Sequence, residues 1–221
     1  MNPYLNSNHP KTEPFRSAPY TTPKYNDNTN YISISNSDRS KDLDYIATVY
    51  NGINLDDFEL NEFPEESIVF FGRIHPDKDA KEAIEIAKAV NMPLVMAGII
   101  QDDAYFKEHV EPHIDQNYIK YIGSVGPDQR KKTLKNAKVL LHPISFEEPF
   151  GLSVAESMAS GTPVIAFNRG SMPELIEHGK TGFIVENITE AISAISKLEL
   201  INIKDGRTHV AKKLSRPMDY A

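Results

Sequence analysis

Cysteine is absent from the sequence, which excludes disulfide bonds and thiolate metal sites. No apolar run approaches the ~18 residues that a membrane span requires. The first thirty residues are polar and hold no apolar segment of the kind a secretory signal carries. Together these absences set a cytoplasmic location as the expectation. A surplus of positive charge is missing as well. The formal net charge is −7, with 24 Lys and Arg against 31 Asp and Glu, and this argues against a nucleic-acid partner, because phosphate backbones select a basic surface. Any phosphate in a ligand must then be held by a few well-placed cations. Neither G-x-G-x-x-G nor G-x-x-x-x-G-K-[ST] occurs, which argues against a dinucleotide oxidoreductase and a P-loop NTPase. His75, His109, His113, His142, His178 and His209 have no metal-ligand spacing. Asp42-Leu43-Asp44 has the form of an Asp-x-Asp metal pair, but it precedes the first strand of the main domain and reads as solvated charge.

What is present is enough for one substantial domain: 221 residues, 40% of them hydrophobic. Residues 1–30 interleave asparagine with proline, too densely to sustain a helix or central strand, and read as a flexible arm. From Tyr45 a rhythm begins. Short apolar runs recur at Ile68–Phe71, Leu94–Ala97, Val139–Leu141, Val164–Phe167 and Phe183–Val185, as strands buried on both faces require. Tyr118–Ile122 alternates, as an edge strand would. Between the first two runs, Ala80, Ala83, Ile84 and Ala87 repeat at helical spacing, with Lys81, Glu82, Glu85 and Lys88 turned outward. Strand–helix alternation implies an α/β fold: a Rossmann-like, doubly wound parallel sheet over 46–215, preceded by 31–45 and followed by a tail at 216–221. Gly161 with Pro163 ends a helix, Asn187 with Glu190 starts one, and Ser171-x-x-Glu174 has the form of a capping box.

In such a sheet, ligands bind beyond the carboxyl ends of the strands. Four loops qualify. In Gly72-Arg73-Ile74-His75-Pro76-Asp77-Lys78, a lysine close to a helix start is unfavourable unless an anion binds there; the alternative is a solvated lysine paired with Asp77 or Asp79. The loop from His142 to Leu152 is more specific. Pro149 suits a first helical turn, leaving the amides of Phe150, Gly151 and Leu152 to meet an anion or a sugar hydroxyl. Glu148 stands before this helix and Glu156 two turns in, too far apart to share a proton but able to grip two hydroxyl-bearing regions of one extended ligand. The alternative for Glu148 is a residue that merely complements the helix dipole, and for Glu156 a surface residue. A third loop, Asn168–Glu174, is either a further ligand contact at Gly170 and Ser171 or an ordinary capped helix. A fourth, Gly123-Ser124-Val125-Gly126, offers backbone contacts to a nucleobase.

Taken together these stretches resemble retaining glycosyltransferases of family 4, which have the GT-B architecture. Glu148-Pro149-Phe150-Gly151 with Glu156–Val164 is similar to the family's E-x7-E signature. Gly72-Arg73-Ile74 with Lys78 resembles its diphosphate loop, and Gly170–Glu174, Gly179–Phe183 and Tyr50–Asn54 resemble further stretches, in order along the chain. Ser157 replaces the usual alanine, and Gly98–Gln101 is poorer in glycine than the family pattern. The resemblance implies that Arg73 and Lys78 hold a donor diphosphate, that Glu156 binds ribose hydroxyls, and that Glu148 with the amides of Phe150, Gly151 and Leu152 holds the transferred sugar. Gly72, Gly123, Ser124 and Val125 complete the expected donor site. The catalytic set is Glu148, Arg73 and Lys78, with no cofactor or metal required. The expected partner is a nucleotide sugar. Of the family's N-terminal, acceptor-binding domain only the last strand and the following loop, resembled by Asn30–Arg39, are expected here, so the expected complement is a separate acceptor-binding domain or self-association. Two readings stand: a retaining glycosyltransferase acting with such a complement, and a non-catalytic nucleotide-sugar-binding module or truncated paralogue.

Overall fold

The structure is a computed structural model that describes residues 30–214; the Asn/Pro-rich arm and the C-terminal tail expected from the sequence lie outside these residues. Strands β1 (Tyr31–Ser33) and β2 (Tyr45–Thr48) pair in parallel as a small separate sheet. Six others, β3 (Glu65–Phe71), β4 (Leu94–Ala97), β5 (Ile119–Tyr121), β6 (Ala137–His142), β7 (Val164–Phe167) and β8 (Gly182–Val185), form one parallel sheet in the order β5-β4-β3-β6-β7-β8. The expected doubly wound α/β domain is therefore present, with β5 on an edge. Its expected boundary at Ile46 falls inside β2, which pairs with β1 rather than with the larger sheet.

The continuous apolar runs are explained by cover on both faces. On β3, Ile68 and Phe70 join a core with Ala83, Ile84 and Ala87 of α1 (Ala80–Ala89) and with Ala191 and Ala194 far along the chain. Val69 and Phe71 face the opposite way and pack with Leu134, Val154, Met158 and Val210. Each such buried side chain contributes about 1.5–3 kcal/mol relative to exposure. The further helices are α2 (Asp103–Tyr105), α3 (Pro127–Asn136), α4 (Leu152–Ala159), α5 (Met172–Leu175), α6 (Ile188–Ile195) and α7 (Ile203–Lys213). Gly161 follows α4 as expected, and Asn187 caps α6 by accepting from the Glu190 amide at 3.0 Å. Arg207 of α7 donates to the carbonyls of Leu55, Phe58 and Ala159, which fastens the last helix across the entry to the domain.

The expected capping box at Ser171 does not form. Ser171 Oγ donates to the Phe150 carbonyl instead, at 2.7 Å. Glu174 turns away from its helix and accepts from Asn36 N (2.8 Å), Asn36 Nδ2 (3.0 Å), Ser37 N (2.8 Å) and Tyr50 Oη (2.8 Å). This carboxylate ties the loop after β1 to the main domain.

Glu82 also departs from expectation. It is half-buried rather than outward, and its Oε2 is buried with no hydrogen-bond partner. Burial, with Asp79 and Glu85 nearby, raises its carboxyl from 4.5 to about 7. A carboxyl raised on folding contributes fully below its unfolded value and destabilises as pH rises through its folded value. Glu82→Gln is therefore expected to raise the melting temperature at pH 8 and to leave it unchanged at pH 4.5, as thermal unfolding at the two pH values will show.

Candidate functional site

The strand order reverses between β3 and β6, so the chain leaves these neighbours toward opposite edges of the sheet. A crevice at their carboxyl ends is the usual consequence. A cleft of about 490 Å³ lies there, lined by the loops after β3, β4, β5 and β6 and by Ile34 and Asn51 from the N-terminal segment. At its floor the backbone of Gly98 (φ 151°) passes so close to that of Gly72 that a Cβ would stand 1.7 Å from the Gly72 carbonyl oxygen. Only glycine permits this approach.

The loops brace one another. The Ser145 amide donates to the Asp77 carbonyl at 3.0 Å, joining the loop after β6 to the loop after β3. The loop after β7 supports the same segment from behind: Gly170 N donates to Glu147 Oε2 at 2.5 Å, and Ser171 N to the Glu148 carbonyl at 2.9 Å. The Gly170 and Ser171 amides are thus spent inside the protein, and of the two readings of this loop the structure favours a support.

Lys78 and Glu148 form an ion pair across the cleft, each about one-seventh exposed. Lys78 Nζ also lies 4.4 Å above the Phe146 ring. The lysine reaches neither Asp77 nor Asp79 in the way its neutral alternative requires; Asp77 instead holds Arg73 at 2.9 Å, and Arg73 Nη1 donates to Gln101. Behind Glu148, buried His142 places Nε2 3.5 Å from Glu148 Oε2, a polar contact without hydrogen-bond geometry. Burial lowers the imidazole pKa, against the opposing pull of Glu148. Burial works to raise the Glu148 carboxyl, but contact with His142 and the charge of Lys78 outweigh it and hold the group at about 2. A third cation, Arg130 of α3, faces the cleft and contacts Glu156 Oε2 at 2.5 Å. Burial pushes the Glu156 carboxyl up, and Arg130 opposes it. Every cation lining the cleft therefore sits against a carboxylate: Arg73 with Asp77, Lys78 with Glu148, Arg130 with Glu156.

The structure brings Gly72, Arg73, Lys78, Ser124, Val125, Glu148, Phe150, Gly151 and Leu152 together around one cleft. Glu156 is not among the residues that line the cleft but contacts Arg130, which is, and Gly123 uses its carbonyl to accept from the Gly98 amide. Pro149 is not in a helical turn as expected: α4 starts at Leu152, with Gly151 (φ 85°) as its cap. Phe150 is buried, in the core beside Tyr50. Sequence reasoning missed Arg130, His142 and Gln101. Arg130 stands among Lys131, Lys132 and Lys135 on a highly charged helix, with no local signal to separate it from solvated neighbours. Among the described residues, no group of three His, Asp or Glu is placed to hold a metal ion, and no helix is long and apolar enough to cross a membrane.

The family model for glycosyl transferases group 1 matches residues 53–213. The chain belongs to this family. It is 30% identical over 161 residues to an uncharacterised glycosyltransferase of Methanocaldococcus jannaschii, covering 64% of this chain and 41% of that protein. A D-inositol 3-phosphate glycosyltransferase of Streptomyces scabiei is 28% identical over 172 residues, covering 66% and 38%. The chain thus spans about two-fifths of the length of these relatives. Among solved structures, Anabaena HepE in complex with UDP and glucose superposes with a TM-score of 0.69 at 18% identity, over 83% of this chain and 59% of that one. Sucrose-phosphate synthase from Thermosynechococcus elongatus gives 0.70 at 22%, over 84% and 54%. The domain is accordingly one half of a GT-B fold.

The Lys78–Glu148 pair has a measurable consequence. Glu148 contributes stability that is present above its unfolded value of 4.5 and is lost as pH falls toward about 2. Lys78→Met removes the counter-charge of a largely buried carboxylate, a change that costs about 3–5 kcal/mol. Urea unfolding at pH 7 is expected to show a loss near the lower end of that range, smaller at pH 4 and largely relieved in Lys78→Met/Glu148→Gln.

Proposed function

We propose that this chain is the donor-binding half of a retaining glycosyltransferase and that its ligand is a nucleoside diphosphate sugar. The observation that carries the reading is the Lys78–Glu148 pair beside Arg73 at the switch-point cleft. A diphosphate can take over the two cations. The released Glu148, with the free amides at the start of α4, can then accept and donate to sugar hydroxyls. As the bond from the anomeric carbon to the diphosphate oxygen breaks, negative charge grows on the leaving group. Arg73 and Lys78 would stabilise it, each by roughly 3 kcal/mol, about a hundredfold in rate, by analogy with one oxyanion-hole donor. With two cations in this role, no metal is needed. Ser124 and Val125 would border the base, and Glu156 would receive the ribose.

Transfer also needs an acceptor held in a near-attack position, which can supply about 7–11 kcal/mol of the barrier. We assign that task to a separate domain or chain facing the cleft. Ile32 and Ile46 of the small β1–β2 sheet are exposed and would offer it an apolar surface.

Calorimetry with UDP, GDP and ADP in EDTA is expected to give binding of at least one. Loss of all three on chelation would remove the metal-free reading. Glu156→Ala should weaken binding of the bare nucleotide, whereas Glu148→Ala should spare it and abolish the gain contributed by the sugar. The reverse pattern would exchange the two roles. A labelled-donor assay with the chain alone is expected to show no more than slow donor hydrolysis, and robust transfer that Glu148→Ala abolishes would mean the chain needs no complement.

A further inference from the structure

Arg130 lines the cleft but has no part in the sequence-based assignment. It projects from the second turn of α3, and its guanidinium lies 5.5 Å from the centre of the Phe71 ring, at the end of β3. Its Nη2 meets Glu156 Oε2 at 2.5 Å, and its Nε is buried with no hydrogen-bond partner. The guanidinium is thus fixed by one carboxylate and one ring, not by backbone carbonyls.

Glu156 needs such a partner. It sits on α4 between buried Ala155 and Ser157, and its side chain is 18% exposed. An ionised carboxylate there, without a counter-charge, would neutralise itself by taking up a proton. The neighbouring Lys131 is committed elsewhere, 3.2 Å from Asp57 and beside the Phe58 ring. Arg130 Nη2 pairs by charge with Oε2, and that buried oxygen takes no geometric hydrogen bond among the described residues. A carboxylate held by one ion pair and short of hydrogen bonds is an oriented acceptor for hydroxyl donors.

We propose that Arg130 is a positioning residue for nucleoside recognition: it holds Glu156 as an oriented carboxylate that receives the ribose hydroxyls of a nucleoside diphosphate. This rests on the reading above that the cleft takes such a ligand. Arg130 acts through Glu156, not on the phosphates, which the proposed function gives to Arg73 and Lys78. The ribose, as distinct from the base or the diphosphate, is what Arg130 makes recognisable.

The test is titration calorimetry of UDP, GDP and ADP, each beside its 2′,3′-dideoxy counterpart, on the whole chain. Wild type is expected to prefer the ribonucleotide. Arg130→Met should weaken the ribonucleotide about tenfold or more, the size of one lost hydrogen bond to a charged group. It should change the dideoxy form little, so that the preference collapses. Arg130→Lys should restore part of it, and serves as the variant of record if the Met protein fails to fold by thermal melting. On a Glu156→Gln background, Arg130→Met should add no further loss. Equal weakening of both nucleotide forms would place Arg130 on the phosphates and overturn the proposal, as would an unchanged preference. Failure of wild type to bind any of the three would instead remove the proposed ligand itself, and this inference with it.

Discussion

The ion pair between Lys78 and Glu148 joins two loops that are 70 residues apart in the chain and brought together only where the sheet reverses direction. Each partner is nearly enclosed, so neither can be left alone at small cost. That constraint sets the character of the whole cleft. Positive charge sufficient for a diphosphate is stored there at zero net charge, in a protein whose overall balance is acidic. A ligand carrying both anionic and hydroxyl groups can satisfy both members of a pair at once.

The pair could not hold its geometry without the shell behind it. Glu148 is bracketed by His142 below, by the Ser171 amide on its own carbonyl and by the Gly170 backbone. A Cβ at Gly170 would stand 2.3 Å from Glu148 N, so the left-handed backbone there (φ 54°) is also a packing requirement. The loop after β7 contributes no group to the cleft lining, yet it fixes the residue at the centre of it.

The sheet was legible because apolar runs such as Val164–Phe167 have one explanation at that length, and because each was followed by a helical repeat. The cleft was legible because charged residues and glycines stood at strand ends, where α/β topology places ligands. What escaped were pairings across the chain. Ser171 and Glu174 have local capping-box spacing, but a buried carbonyl of Phe150 and the amides of Asn36 and Ser37 outcompete the local bond. Glu82 matches an outward helical position, yet neighbouring Tyr105, whose Oη accepts from the Lys81 amide, covers that part of α1. Arg130 is one of several basic residues on α3, and only the closeness of α4 gives it a partner. Such competition is decided in three dimensions and leaves no trace in spacing.

The attachment of the small sheet has a mechanical consequence. Ile34 and Asn51 form part of the cleft wall, and both flank segments clamped to Glu174. A rigid rotation of β1 and β2 about the chain near Asn51 would have to strip four donors from one carboxylate and pull Ile34 from the wall in the same stroke. Glu174 is therefore a latch: the small sheet cannot leave its seat without breaking these four bonds, and the cleft would lose part of its wall with it.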